Sequence, residues 1–267
     1  MKDLPRRVVT ALLFGAIMLG SLLFGRELGW ALVISLGAGL ALGEFYAITR
    51  RSHRLPNEVF GMAAVLAMPV ATALYGEVGL NATLTVLVVA SLLWHLAFRQ
   101  VTLSDTAVTV FGAVFVGYTL SHLVLIRLLD AGTILTLATL VSVWVNDMAA
   151  YFVGSTVGRR KMSPRVSPNK TWEGFFAGSA ASVAAWVGVY YLTDTPVGLG
   201  WHVAIGLVLA LATVAGDLVE SRIKREVGVK DSGRLLPGHG GFLDRFDALI
   251  LASVAAYYLL VWAGVNG

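Results

Sequence analysis

"ALVISLGAGLALGEFYAITRR", residues 31–51, stays apolar for nearly the thickness of a bilayer and then ends on two arginines. A helix of about 20 predominantly apolar residues crosses the hydrocarbon core. Working outward, similar runs recur along the chain. The 267 residues are 57% hydrophobic and only 13% charged, about half the charged share of a soluble domain. Apolar runs predict spans near 8–25, 28–48, 59–75, 80–98, 107–126, 132–153, 174–192, 203–220 and 246–263. The expected fold class is therefore all-α, a polytopic integral membrane helical bundle of about nine transmembrane helices. No internal repeat or Pro/Ser-rich linker divides it, so residues 1–267 are expected to form a single membrane domain.

The arginines at the end of the quoted stretch also orient the chain. Lys2, Arg6 and Arg7 precede the first span, and Arg50, Arg51 and Arg54 follow the second. Arg99, then Arg159, Arg160, Lys161, Arg165 and Lys170, then Arg222, Lys224, Arg225, Lys230 and Arg234 fall on the same side of a nine-span chain. The opposite side has Arg26 and Arg127. Loops rich in Lys and Arg stay in the cytoplasm. The N-terminus is expected inside and the C-terminus outside. The same bias accounts for the net charge of +4, so nucleic acid is not an expected partner. The first run is too long for a signal peptide and lacks a small-residue cleavage site before "GRELGW", so it reads as the first span. The chain has no cysteine, which excludes disulfides, thiolate metal sites and cysteine nucleophiles.

Small-xxx-small spacing occurs at Gly39 and Gly43 and again at Gly174 and Gly178. It lets helices approach closely, either within one bundle or across a dimer seam. Residues 1–140 carry little chemistry. Glu44, His95 and His122 are isolated there and read as buried hydrogen-bonding or interfacial groups rather than ligands.

The polar residues concentrate in 141–250, the expected catalytic region at the cytoplasmic face. In "WVNDMAAYFVG", residues 144–154, Asp147 lies within a span and Tyr151 is one turn later on the same face. An acid at a span centre costs about 2.5–3.5 kcal/mol on insertion scales, which marks function or an interhelical hydrogen bond. In "SPRVSPNKTWEGF", residues 163–175, two prolines exclude helix, Thr171 suits an N-cap and Glu173 suits the first turn. Lys170 opposes the helix dipole there, as an exposed cation that fits best if an anion binds between it and the helix.

The third stretch runs from Ala215 to Leu249. Asp217, Ser221 and Lys224 share a face if span eight continues as a helix. Asp244 and Asp247 are one turn apart at the start of span nine, while Arg245 points elsewhere. With Asp217 they form an all-oxygen set suited to Mg²⁺. The glycines of "PGHGG" stand just before a helix N-terminus, an anion-binding arrangement, with Lys224, Lys230, Arg234 and Arg245 around it. Metal, cations and glycine-rich backbone together suit a polyphosphate. A capped helix with surface salt bridges is the simpler alternative. No GxxxxGK[ST] occurs, nor the "DGxxAR" opening of the CDP-alcohol phosphotransferases.

At this point "SRIKREVGVKDSGRLLPGHGGFLDRFD", residues 221–247, resembles the signature of the phosphatidate cytidylyltransferases, or CDP-diacylglycerol synthases. "SPNKTWEG" is similar to that family's SPxKTxEG segment and "DMAAYFVG" to its DTxAYxxG segment, with Met148 where Thr is common. The resemblance implies transfer of CMP from CTP to phosphatidate, giving CDP-diacylglycerol and pyrophosphate in phospholipid biosynthesis. It implies Mg²⁺, a homodimer among membrane lipids and a cytoplasmic (inner) membrane location. It leaves open whether a second divalent or a monovalent cation joins the Mg²⁺. By position it assigns catalysis to Asp217, Asp244, Asp247 and Lys224, the three aspartates also holding metal. It assigns substrate contacts to Asp147, Lys170, Thr171, Glu173, Ser221, Lys230, Asp231, His239, Gly240, Gly241 and Arg245. A transporter or channel would instead place acids near the midplane on symmetry-related helices. The second rival is another CTP-using membrane enzyme, such as a polyprenol kinase or an archaeal cytidylyltransferase acting on ether lipids.

Overall fold

The computed structural model describes residues 4–52, 54–233 and 240–267, with side chains from Leu12 onward. The expected contact residue His239 lies outside the described residues. By packing, the chain forms two compact units, Met1–Leu128 with Glu226–Phe246, and Leu129–Arg225 with Asp247–Gly267. Among the described residues, seven helices are long and apolar enough to cross a membrane, and Leu12–Phe24 is a shorter apolar helix. With the hydrophobic composition, these make the chain an all-α polytopic integral membrane protein.

The first unit contains α1 (Leu4–Phe24), α2 (Arg26–Thr49), α3 (Glu58–Ala97), α4 (Leu103–Ala113) and α5 (Thr119–Leu128). The quoted stretch forms α2, whose Trp30, Ile34, Leu42, Phe45 and Tyr46 are all buried. Its polar side chains find backbone partners: Trp30 Nε1 donates to the Leu123 carbonyl at 3.1 Å and the Tyr46 hydroxyl to the Thr109 carbonyl at 2.8 Å. Such bonds matter where no water competes. The 40-residue α3 breaks at Gly76, where φ is 59° and ψ −142°. Ala71 stands next to Gly79, which a continuous helix would hold two turns apart, so the chain reverses here. The break falls between the expected spans 59–75 and 80–98. A π-helical turn, Val114–Tyr118, joins α4 to α5 inside the expected span 107–126.

The second unit contains α6 (Gly132–Thr156), a small antiparallel hairpin of β1 (Lys161–Ser163) and β2 (Ser167–Thr171), then α7 (Trp172–Leu192), α8 (Leu199–Glu226) and α9 (Leu243–Trp262). The unit boundary falls within α9, between Phe246 and Asp247. The helices α6 and α7 pack closely because Gly174 lies against the Ala150 carbonyl and Gly178 against Asn146. Gly39 meets Leu66 of α3 in the same way within the first unit. Both small-residue pairs thus serve packing inside the chain. Ser142 bonds Ser182 at 2.7 Å and Ser182 donates to the Gly206 carbonyl at 2.7 Å, a buried polar chain through α6, α7 and α8. Outward, large apolar side chains such as Leu36, Leu96 and Phe176 are exposed, as lipid contact requires.

Candidate functional site

The hairpin between α6 and α7 builds a cleft of about 290 Å³. Asn146, Asp147 and Tyr151 of α6 line it, with Ser167, Asn169, Lys170 and Thr171 of β2, Phe175 of α7 and Asp217 of α8. The prolines do keep helix out of the segment before Trp172, where Lys161–Ser163 and Ser167–Thr171 pair as antiparallel strands. This corrects the expectation for Lys170. Carried inward on β2, its side chain is only 21% exposed, and its Nζ lies 2.7 Å from Asp217 Oδ2. It is a partly buried cation already paired with an acid.

The face predicted on span eight is present. Helix α8 continues to Glu226, and the Ser221 hydroxyl donates to Asp217 Oδ1 at 3.1 Å. Lys224 is nearly buried and pairs with Glu220 at 2.5 Å. Glu220 is fully buried. It was not among the expected site residues, although its i, i+4 spacing to Lys224 was visible. Asn146, also unanticipated, is buried at the cleft wall and donates to Asp147 Oδ1 at 3.3 Å. Asp247 accepts the Ala248 N–H at 2.7 Å and feels the charges of Asp217, Asp147 and Lys224. Met148 is exposed and is not one of the cleft residues, so that departure from the family pattern leaves the cleft intact.

Thr171 caps α7 as expected, accepting the Gly174 N–H at 3.2 Å. Glu173 accepts the Arg160 N–H, which ties the base of the hairpin to the helix. Loss of such a cap costs about 0.5–2 kcal/mol. Thr171→Ala should lower the unfolding temperature in detergent while Thr171→Ser holds it. An unchanged melting curve for Thr171→Ala would contradict the capping role.

The rest of the signature belongs to the first unit. Lys230, Asp231 and Arg245 are exposed. Asp244 Oδ2 accepts the Gly241 N–H at 2.8 Å and the Ser232 N–H at 3.2 Å. Gly240 has φ +80°, and a Cβ there would press on the Asp244 carboxylate. The buried Glu44 accepts the Ser232 hydroxyl at 2.9 Å and the Leu243 N–H at 3.0 Å. It is a buried hydrogen-bonding group, in keeping with its reading from the sequence. Among the described residues no three acidic or histidine side chains form a ready-made metal cage.

A helical membrane bundle with a cleft where Lys170 meets Asp217 beside Tyr151 and Phe175 defines an integral membrane protein with a charged site. The chain matches the model of the Cytidylyltransferase family over residues 5–263, and it belongs to that family. It is 32% identical over 281 residues to the phosphatidate cytidylyltransferase of Mycobacterium bovis, covering 97% of this chain and 89% of the relative. The phosphatidate cytidylyltransferase of Brucella suis is 37% identical over 261 residues, covering 96% and 93% respectively. That of Bacillus subtilis is 38% identical over 160 residues, 60% of each chain.

Proposed function

We propose that this protein transfers the cytidylyl group of CTP to phosphatidate, making CDP-diacylglycerol for phospholipid synthesis. The observation that carries this reading is nearly full-length similarity to enzymes of that name, together with the acid-and-lysine cleft. A phosphate oxygen of phosphatidate forms the new bond to the α-phosphorus of CTP. The bond from that phosphorus to the oxygen bridging to the β-phosphorus breaks, and pyrophosphate leaves. The nucleophile is already an anion at neutral pH, so no general base is needed. The work is alignment of two repelling anions and neutralisation of the leaving group.

The cleft suits that work. Lys170 can exchange its Asp217 partner for a phosphate oxygen at small cost, because one charge-assisted contact replaces another. Lys224, held by Glu220, supplies a second fixed positive charge. The donor set fits Mg²⁺, which binds hard oxygens through one or two carboxylates and leaves the remaining positions to phosphates and water. Asp217 and Asp247 would hold the ion, which when bound neutralises charge on the phosphates. Asp244, whose carboxylate takes two loop amides, shapes the phosphate-binding segment of the first unit. A homodimer is inferred from the resemblance alone.

The direct test supplies purified protein with labelled CTP, Mg²⁺ and phosphatidate and looks for a lipid-soluble cytidine product. Failure to form it with folded protein would refute the reading. Charge bias further supports a cytoplasmic side for the hairpin. A single cysteine at the exposed Arg165 of this cysteine-free chain should react in whole cells only with membrane-permeant reagents. Labelling by an impermeant thiol reagent from outside would overturn that topology.

A further inference from the structure

We propose that Glu44 is a positioning residue that latches the signature loop, an inference that rests on the cytidylyl-transfer reading. Glu44 belongs to α2, far in sequence from the loop it meets. It is 6% exposed, and one oxygen, Oε2, receives both limbs of the loop: the Ser232 hydroxyl on the outgoing limb and the Leu243 N–H on the returning limb. Gly233 and Gly241 lie directly against the carboxylate. A Cβ at Gly233 or at Gly241 would overlap Glu44, so both glycines are required by its presence. Asp244 crosses the same loop from within, joining the Ser232 and Gly241 amides. Two carboxylates therefore clamp the two ends of one segment, Asp244 locally and Glu44 from a membrane helix.

Packing alone does not call for an acid here. A buried carboxylate is costly unless its oxygens are hydrogen-bonded. Among the described residues Glu44 Oε1 has no hydrogen-bond partner. An apolar residue would fill α2 more cheaply. The segments that Glu44 holds adjoin Lys230 and Asp231 and include Gly241, with Gly240 beside it, residues that the resemblance assigns to substrate binding. A latch of this kind fixes those groups before the substrates arrive, so its loss lowers turnover more than ground-state binding.

The test uses full-length protein in detergent and two independent readouts. In Glu44→Ala, hydrogen exchange should quicken at the Ser232 and Leu243 amides while peptides from α6 and α7 keep wild-type protection. The value of kcat should fall at least about tenfold, with KM for CTP and for phosphatidate within about threefold of wild type. Glu44→Gln retains a carbonyl oxygen for the Leu243 N–H and should recover much of the exchange protection and turnover. If Glu44→Ala unfolds, Ser232→Ala still decides the matter, since it removes one of the two contacts to Oε2 and should quicken exchange locally. Wild-type exchange in the loop, or a KM effect without loss of kcat, would overturn the latch. An inactive wild-type protein would instead count against the cytidylyl-transfer reading, and the exchange result would stand apart from it.

Discussion

Asp217→Asn should lower turnover by at least about 10²-fold, the scale seen when a key electrostatic group is removed from a site. The substitution is nearly isosteric. Asn retains an oxygen for the Ser221 hydroxyl that now meets Oδ1 at 3.1 Å, so α8 should keep its packing. It loses the charge that faces Lys170 Nζ at 2.7 Å. On the proposed mechanism the same charge would help hold a divalent cation, which would neutralise phosphate charge. Asp247→Asn should behave alike, because Asp247 stands in the field of Asp217 and Asp147 and shares the proposed ion. The measurement is steady-state kinetics beside a melting curve. Near-normal turnover in both folded variants would reject a catalytic metal site built on these two acids.

Removal of divalent cations should be more drastic still. With EDTA, turnover should fall to background, and excess Mg²⁺ should restore it. The physical reason is the charge on the reactants. Phosphatidate and CTP are both multiply anionic, and departing pyrophosphate gathers further charge that two paired lysines only partly balance. Full turnover in chelator would remove the metal from the account and leave Lys170 and Lys224 as the electrostatic groups.

Much of the fold was legible because hydrophobic length is a local property. The expected spans at 28–48 and 132–153 lie within α2 and α6, and the gap between 75 and 80 coincides with the reversal at Gly76. The face of Asp217, Ser221 and Lys224 was legible for the same reason, since helical spacing alone sets it. What escaped depends on distant partners. Nothing near Lys170 in sequence reveals that β2 turns it toward Asp217. Nothing near Glu44 reveals Ser232 or Leu243. The hairpin was hidden because its prolines and charged residues suit a turn as well as a short exposed strand. The entry of Glu226–Phe246 into the first unit is likewise a tertiary fact. Glu220 is different: its i, i+4 partner Lys224 was in plain view, and only its complete burial was not.

The central claim is transfer of the cytidylyl group rather than of the terminal phosphate, and one measurement separates the two. Purified protein is given phosphatidate, Mg²⁺ and CTP carrying a radiolabel in either the α- or the γ-phosphate, and the lipid is extracted. The account predicts that α-label enters the lipid while γ-label stays in water as pyrophosphate. Entry of γ-label without α-label would identify a CTP-dependent lipid kinase and contradict the account.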